Sequence, residues 1–414
     1  MSTGLCNQYA AIAGRIWAGA AAAGFRGSDP YDGLNSRLLA PLLGRSRLLR
    51  LAVIQGVKRS PLDVRPLLRV PPGLNPKGLA LLLHGAAVWP DADDGDGRRA
   101  WLADALLSSA SLPDGRPAFG DRTVIPGLAA RAGADRELLP ARLGWGYDFP
   151  WQSRAFLQPA FFPTVVATSF VVDALAVAGN DVAIEPAARF VETDLRRHED
   201  ADGLCFSYSP GDDTRVYNAS LFGARILAQA AAHGGPDASA RREAARRATD
   251  WVVSRQREDG SWVYGEAAHW GWIDNLHTGY NLETIDRLAT LLGDDRWEEA
   301  LRRGLDFYRR ALFLEDGTPR YYTTSLYPLD PHSFAQGALT FLSLRRLQPD
   351  AVAFADRILG RGIEELWDER RGGFRFQKHR RHTQPAIHLR WSQAWMFRAL
   401  CARLALHREG VSAP

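Results

Sequence analysis

Asp259–Ile285 reads DGSWVYGEAAHWGWIDNLHTGYNLETI, and this stretch spells out a unit that the chain uses several times. A glycine turn leads into a short aromatic run, and the run ends at a polar helix start. The same order recurs from Asp202 (DGLCFSYSPGDDTRVYNASLFGARIL), from Asp316 (DGTPRYYTTSLYPLDPHSFAQGALTF) and from Gly372 (GGFRFQKHRRHTQPAIHLRWSQAWMFRAL). A worn copy, GWGYDFPWQSRAFLQPAFFPTVVATSFVVDAL, begins at Gly144. The spacing is about 56 residues, a period that marks one supersecondary unit repeated along the chain.

Each copy continues into helix. Apolar residues at i, i+3, i+4 and i+7 run through NASLFGARILAQAAAHG, HTGYNLETIDRLATLLGD, HSFAQGALTFLSLRRL and RWSQAWMFRALCARLAL. The segments that follow, ARREAARRATDWVVSRQ, RWEEALRRGLDFYRRALF and DAVAFADRILGRGIEELWD, carry charge along one side. Each pair is an α-hairpin, with inner helices predicted to begin near Thr164, Asn218, His277, His332 and Arg390. The last inner helix needs an outer partner from elsewhere, and Leu34–Lys58 and Asn75–Trp89 are the candidates. Six hairpins close a ring: the less charged helices line the middle, the charged ones face water, and the glycine and aromatic loops gather at one end. The expected fold is an all-α (α/α)6 toroid, with repeats over residues 141–414 and residues 1–140 packing on or completing the barrel. Such a ring leaves no apolar end to cap.

This order of elements resembles the six-hairpin toroid group, which contains glycoside hydrolases, polysaccharide lyase domains and the N-acylglucosamine 2-epimerases. LWDERRGGFRF from Leu366 is similar to the epimerase-type turn between hairpins, an acidic turn and paired glycines before an aromatic strand. A second likeness is to squalene cyclases and related terpenoid cyclases, because Gln256, Gly260 and Trp262 match their Gln-x-x-x-Gly-x-Trp repeat once in full. Asp91, Asp93 and Asp94 fit the Asp-x-Asp-Asp motif of the protonating cyclases, but they stand in a Pro- and Gly-rich turn, where a solvated loop is the favoured reading. Gly95 occupies a ligand position that an EF-hand would need. Toroids host many chemistries, so these likenesses imply architecture rather than reaction.

Composition narrows the classes further. A 46% hydrophobic content supports a large core, and a net charge of +4 over 414 residues does not call for nucleic acid. Cys6, Cys205 and Cys401 are odd in number and far apart, which gives no disulfide framework and no metal-ligand spacing, and points to a reducing compartment, the cytoplasm. Arg15 interrupts the alanine-rich N-terminus, which also lacks a basic leader, so no signal peptide is expected. No apolar run reaches the length of a membrane span. Phosphate loops, dinucleotide fingerprints and zinc motifs are missing, so no cofactor and no metal are expected. Basic residues concentrate between Arg45 and Arg69 and in QKHRRH from Gln377, as a solvated face or as a wall toward an anionic ligand.

With the loops at one mouth, first-turn residues of the inner helices share a cleft. One copy offers Asp274, His277, Asn281 and Glu283, and the next offers Asp330, His332 and Gln336. His277 with Asn281 and His332 with Gln336 are i,i+4 pairs on one helix face. Asp274 and Asp330 also suit plain helix capping, yet an aspartate just before a histidine at two equivalent positions suits acid/base chemistry. Aromatic and polar side chains fill the same loops: Trp145, Tyr147, Trp151, Gln152, Asn218, Trp262, Tyr264, Trp272, Tyr321 and Trp391. Sugars stack on such rings and hydrogen-bond to such amides, although many of the rings must simply fill the barrel end.

The expected function is a carbohydrate-active enzyme acting on an acidic or amino-sugar glycan. In a hydrolase version, two carboxylates among Asp148, Asp274, Glu283 and Asp330 flank the scissile bond. In an epimerase or lyase version, His277 and His332 move a proton beside a carbonyl, with Arg390 or Lys378 neutralising charge. The hydrolase version is preferred at this point, a terpenoid cyclase or prenyltransferase-type toroid and a non-catalytic glycan-binding protein are the alternatives, and the number of subunits is not legible.

Overall fold

A computed structural model describes residues 3–44, 46–89, 97–152 and 157–410, so the Asp91–Asp94 motif lies outside the described residues. Among the described residues fifteen α-helices carry the fold: α1 (Thr3–Ala22), α2 (Ala40–Leu43), α3 (Arg47–Arg59), α4 (Pro76–Val88), α5 (Arg98–Ser108), α6 (Leu128–Ala134), α7 (Val165–Val177) and α8 (Ile184–Asp194), followed by α9 (Tyr217–Ala232), α10 (Ala238–Val253), α11 (Asn275–Leu292), α12 (Glu298–Leu312), α13 (Pro331–Ser343), α14 (Ala351–Leu366) and α15 (Trp395–Arg408). Strand among the described residues is confined to four short antiparallel pairs in the connections, one of them Arg197–Asp200 with Gly203–Phe206. None of the described helices is long and apolar enough to cross a membrane.

Packing closes the predicted ring. Helices α4, α7, α9, α11, α13 and α15 contact one another in that order, and α15 returns to α4. Their sequences explain the inner position: α7, VVATSFVVDALAV, is buried over Val165–Leu175 without a polar face. The outer helices are two-sided. On α12, Leu301, Leu305, Tyr308 and Leu312 lie inward at helical spacing while Arg302 and Glu298 pair on the outside at 2.6 Å. Helices α5, α8, α10, α12 and α14 back the first five inner helices. The outer partner of α15 is α1, which packs along it, rather than either of the two segments expected from sequence. Asn75–Trp89 instead forms the sixth inner helix, and Leu34–Lys58 runs as part of a strap across the mouth.

All six inner helices start at the same end, and their first turns are made there by local chemistry. Asn75 accepts from the Gly78 N–H at 3.2 Å with Pro76 at the first helical position, and Thr164 accepts from Ala167 N–H at 3.1 Å. Asp274 and Asp330 accept from the N–H groups of His277 and His332 at 2.8 and 2.9 Å. The entry to α15 is different, because Leu389–Ala394 is π-helical, a wider turn that re-aims the side chains leading into the helix.

The Gln256, Gly260 and Trp262 element is a structural clamp. The Gln256 amide donates to the carbonyls of Gly260 and Ala300 at 3.0 and 2.9 Å, and the buried Trp262 indole donates to Val252 at 2.9 Å. Gly260 has φ +91°, and a Cβ there would overlap the Arg303 carbonyl. Gly260→Ala is therefore expected to cost about 2–4 kcal/mol, from backbone strain plus steric displacement. Urea unfolding measures it, and a loss below about 0.5 kcal/mol would mean that the clamp is slack.

Candidate active site

The inner helix starts and the loops before them surround a mouth whose floor is aromatic. Phe170 of α7, Phe222 of α9, Tyr280 of α11 and Trp395 of α15 pack ring to ring across the barrel, with centroids 5.4 to 6.1 Å apart. From the first turn of α4, Lys77 places its ammonium 4.1 Å from the Phe170 ring centre and 5.2 and 5.3 Å from those of Tyr280 and Trp395. Burial, reinforced by Arg390 and Arg398, holds the Lys77 amine well below the usual lysine range.

Asp274 and His277 form the best-defined polar pair above this floor. The same carboxylate that caps α11 also meets His277 Nδ1 at 2.7 Å, and it accepts from the Trp272 indole at 3.2 Å. Burial pushes the Asp274 carboxyl up, but the His277 ring and these hydrogen bonds outweigh it and hold it below its ordinary value. With Nδ1 engaged, Nε2 is the nitrogen left for a ligand, and the side chain keeps 31% exposure. Tyr264 stands edge-on to the His277 ring at 4.6 Å and stacks on Trp272 at 4.8 Å, so the pair is walled by rings. Tyr321 and the exposed Tyr322 continue the wall on the α13 side.

His332 sits deeper. It is 2% exposed, stacked on Trp395 at 4.2 Å, with Nε2 2.6 Å from the Tyr280 hydroxyl and Nδ1 unpartnered. Burial, with Lys77 and Arg390 nearby, holds its ring well below the usual histidine range, so it is neutral. Tyr280 touches both histidine rings, at 5.9 and 6.0 Å between centroids. Asp330 beside it accepts from Gln377 at 2.6 Å and from the Trp391 indole at 3.0 Å, and burial raises its carboxyl to about 6.

The remaining residues singled out from sequence separate into three groups. Tyr147 is at the mouth, stacked on Phe149 at 5.5 Å beneath the Arg390 guanidinium. Arg390 itself is bound through two nitrogens to Asp29 at 2.6 and 2.8 Å. Gln152 accepts from Arg50 at 2.9 Å, Trp151 packs against the small core of the strap, and Lys378 is paired with Glu365. Trp145 and Trp262 are core residues, each donating its indole N–H to a backbone carbonyl. Asn218 and Asn281 are buried with an unpartnered side-chain oxygen each. Glu283 is bonded to Gln336 at 2.9 Å and Arg398 at 3.0 Å, and lines a cavity of about 1040 Å³ at the opposite end of the barrel, with Asp173, His84 and Arg225.

Asp148 stands apart from these groups. It accepts from Asn75 at 2.6 Å, and its other oxygen lies so close over Gly73 that a Cβ there would collide with it. Burial lifts this carboxyl to about 7. A folded-state pKa above the unfolded value near 4 means stability present at low pH and lost as pH rises through about 7. Asp148→Asn, which imitates the neutral form, is expected to gain on the order of 1–3 kcal/mol relative to the parent at pH 8 compared with pH 5. Equal differences in unfolding midpoint at both values would refute it.

Sequence reading did not single out Lys77, Tyr280 or Asp29. The signal for Lys77 was the Asn-Pro-Lys order at 75–77, a capping residue followed by proline at the first helical position.

No known family model matches the chain, and no curated protein sequence matches it significantly. Solved structures do share the fold. A cellobiose 2-epimerase from Bacillus thermoamylovorans B4167 aligns over 80% of this chain and 88% of its own, with TM-score 0.58 and 11% identity. The cellobiose 2-epimerase of Spirochaeta thermophila DSM 6192 aligns over 81% and 85%, with TM-score 0.53 and 14% identity. A sugar epimerase from a ruminal bacterium aligns over 81% and 87%, with TM-score 0.54 and 13% identity. The chain is thus a six-hairpin toroid.

Proposed function

We propose that this protein is a carbohydrate-active enzyme that moves a proton on a sugar carbon, a reaction of the epimerase or isomerase class, with His277 as the exchanging group. The observation that carries this reading is the Asp274–His277 pair, held by ring walls with Nε2 left for a ligand. Carboxylates for hydrolysis are poorly placed by comparison. Asp330 is fully buried under Trp391 and Gln377, Asp148 is pressed on Gly73, and Glu283 is at the far end. Three proteins sharing the fold carry names of sugar epimerases, which accords with the reading.

In an open-chain sugar the hydrogen beside the carbonyl is the acidic one. His277 Nε2 takes that proton as general base, and Asp274 stabilises the imidazolium that results. The enolate formed needs positive potential or a proton. Arg390 and Lys378 are committed to Asp29 and Glu365, whereas Lys77, packed on the floor rings with no ion pair to a carboxylate among the described residues, is the basic side chain of the floor left to meet that oxygen through its N–H groups. Tyr280, tied to neutral His332, is a second proton carrier on the same floor, with His332 as its positioning residue. Return of a proton to the opposite face inverts the carbon. Three unpaired thiols fit work in the cytoplasm.

The test is incubation with a panel of aldoses and short acidic or amino-sugar oligosaccharides in heavy water, followed by proton NMR. Deuterium at a ring carbon of an uncleaved sugar is the expected result. New reducing ends without exchange would replace this reading with hydrolysis.

A further inference from the structure

The strap across the mouth carries the densest apolar exposure of the described surface. Of ten large hydrophobic side chains that stand exposed, five fall in it: Leu38, Leu42, Leu48, Leu62 and Leu67, at 54, 42, 76, 71 and 77%. Single exposed leucines are ordinary, but five within thirty residues are not. Helix α3 shows why: Ile54 faces the small core with Leu34 and Leu43 and Val57 is buried against Gly33, leaving Leu48, Ala52, Gly56 and Arg59 outward at helical spacing. The Ser36 hydroxyl donates to Leu68 O at 2.6 Å and Arg37 N–H donates to Arg69 O at 3.3 Å, which seats Leu38 beside the Leu67 turn.

Charge on this surface is one-sided. Arg37, Arg47, Arg59 and Arg69 are exposed and have no carboxylate partner among the described residues. Many arginines elsewhere are answered, as Arg309 is by Asp350 at 2.6 Å and Arg241 by Glu185 and Glu192 at 2.6 and 2.8 Å. Arg26, Arg131, Arg257, Arg380 and Arg381 also stand exposed without a carboxylate among the described residues, so the strap is set apart by its arginines standing among exposed leucines. Asp63, the one acidic side chain between residues 37 and 69, is spent on Arg65 at 3.2 Å. Leucines beside unanswered arginines match a surface with an apolar interior and anionic headgroups. We propose that this strap docks on an anionic lipid bilayer, as a peripheral contact with the leucines entering the headgroup boundary and the arginines meeting lipid phosphates. The same strap is tied to the mouth through Asp29 and Arg390 and through Asn35 to Asp148, so docking sets the mouth beside the bilayer.

The experiment is flotation of the full chain with vesicles of phosphatidylcholine alone or with phosphatidylglycerol added. Binding is expected to rise at least about tenfold with the anionic lipid and to weaken at high salt, as surface attraction screened by ions requires. Leu48→Asn/Leu62→Asn/Leu67→Asn should reduce partitioning about tenfold or more with an unchanged unfolding midpoint, because the exposed leucines hold nothing together. Arg47→Ser/Arg59→Ser should remove the preference for anionic lipid. No flotation with either vesicle, or flotation that the triple variant leaves intact, overturns the proposal. Concentration-dependent dimers that the triple variant abolishes, without flotation, would assign the face to a second copy instead.

Discussion

Replacing His277 by asparagine is expected to lower turnover by about 10²–10⁴-fold, the range over which a positioned acid/base group contributes. Stability should hardly move, since the His277 ring is part-exposed and its backbone N–H, which the Asp274 cap uses, is retained. Asp274→Asn separates the two jobs of the carboxylate. Asparagine caps a helix about as well as aspartate, so the fold is expected to stay within about 0.5 kcal/mol. It cannot stabilise an imidazolium, so turnover falls. Glu283→Gln is the counterpart, expected to leave deuterium exchange nearly intact because that side chain is behind the aromatic floor. The decisive measurement is kcat for solvent exchange in the three variants. A Glu283→Gln enzyme that is dead beside an active His277→Asn enzyme would move the chemistry to the far cavity.

The position of Glu283 was legible in principle. It follows His277 by six residues, about 9 Å along the axis and about 240° around it, so the two cannot share a face or a depth. Five of the inner helices were readable because each pairs an apolar period with a polar start. Helix α1 was not, since an alanine-rich helix gives little contrast between faces, and its partner α15 is nearly four hundred residues away. Nor does sequence tell a cleft tryptophan from a core one. Trp145 and Trp262 are buried because a backbone carbonyl waits for each indole N–H, whereas Trp272 stays 37% exposed beside Tyr264. The strap was readable as a basic, proline-broken crossing, but the partner of Arg390 was not, because Asp29 is brought to it only when the ring closes.

That closure point should dominate stability. Arg390 and Asp29 are each only 5% exposed at the side chain, and two hydrogen bonds join them at 2.6 and 2.8 Å. Burial would lower the Arg390 pKa, yet Asp29 outweighs it and raises it, so the guanidinium stays charged. Arg390→Met removes one partner and leaves the Asp29 carboxylate buried without a counter-ion, an expected loss of about 3–5 kcal/mol. Asp29→Asn should cost a comparable amount for the opposite reason. The double variant removes both charges and is expected to recover most of the loss, so the coupling in a double-mutant cycle should exceed about 2 kcal/mol. Strap release gives a second readout. With the tie cut, trypsin should reach the arginines at 37, 47, 59 and 69 well before the barrel unfolds in urea. Additive single effects, or a strap no easier to cut in Arg390→Met than in the parent, would show that the pair is carried by the surrounding packing and does not hold the mouth together.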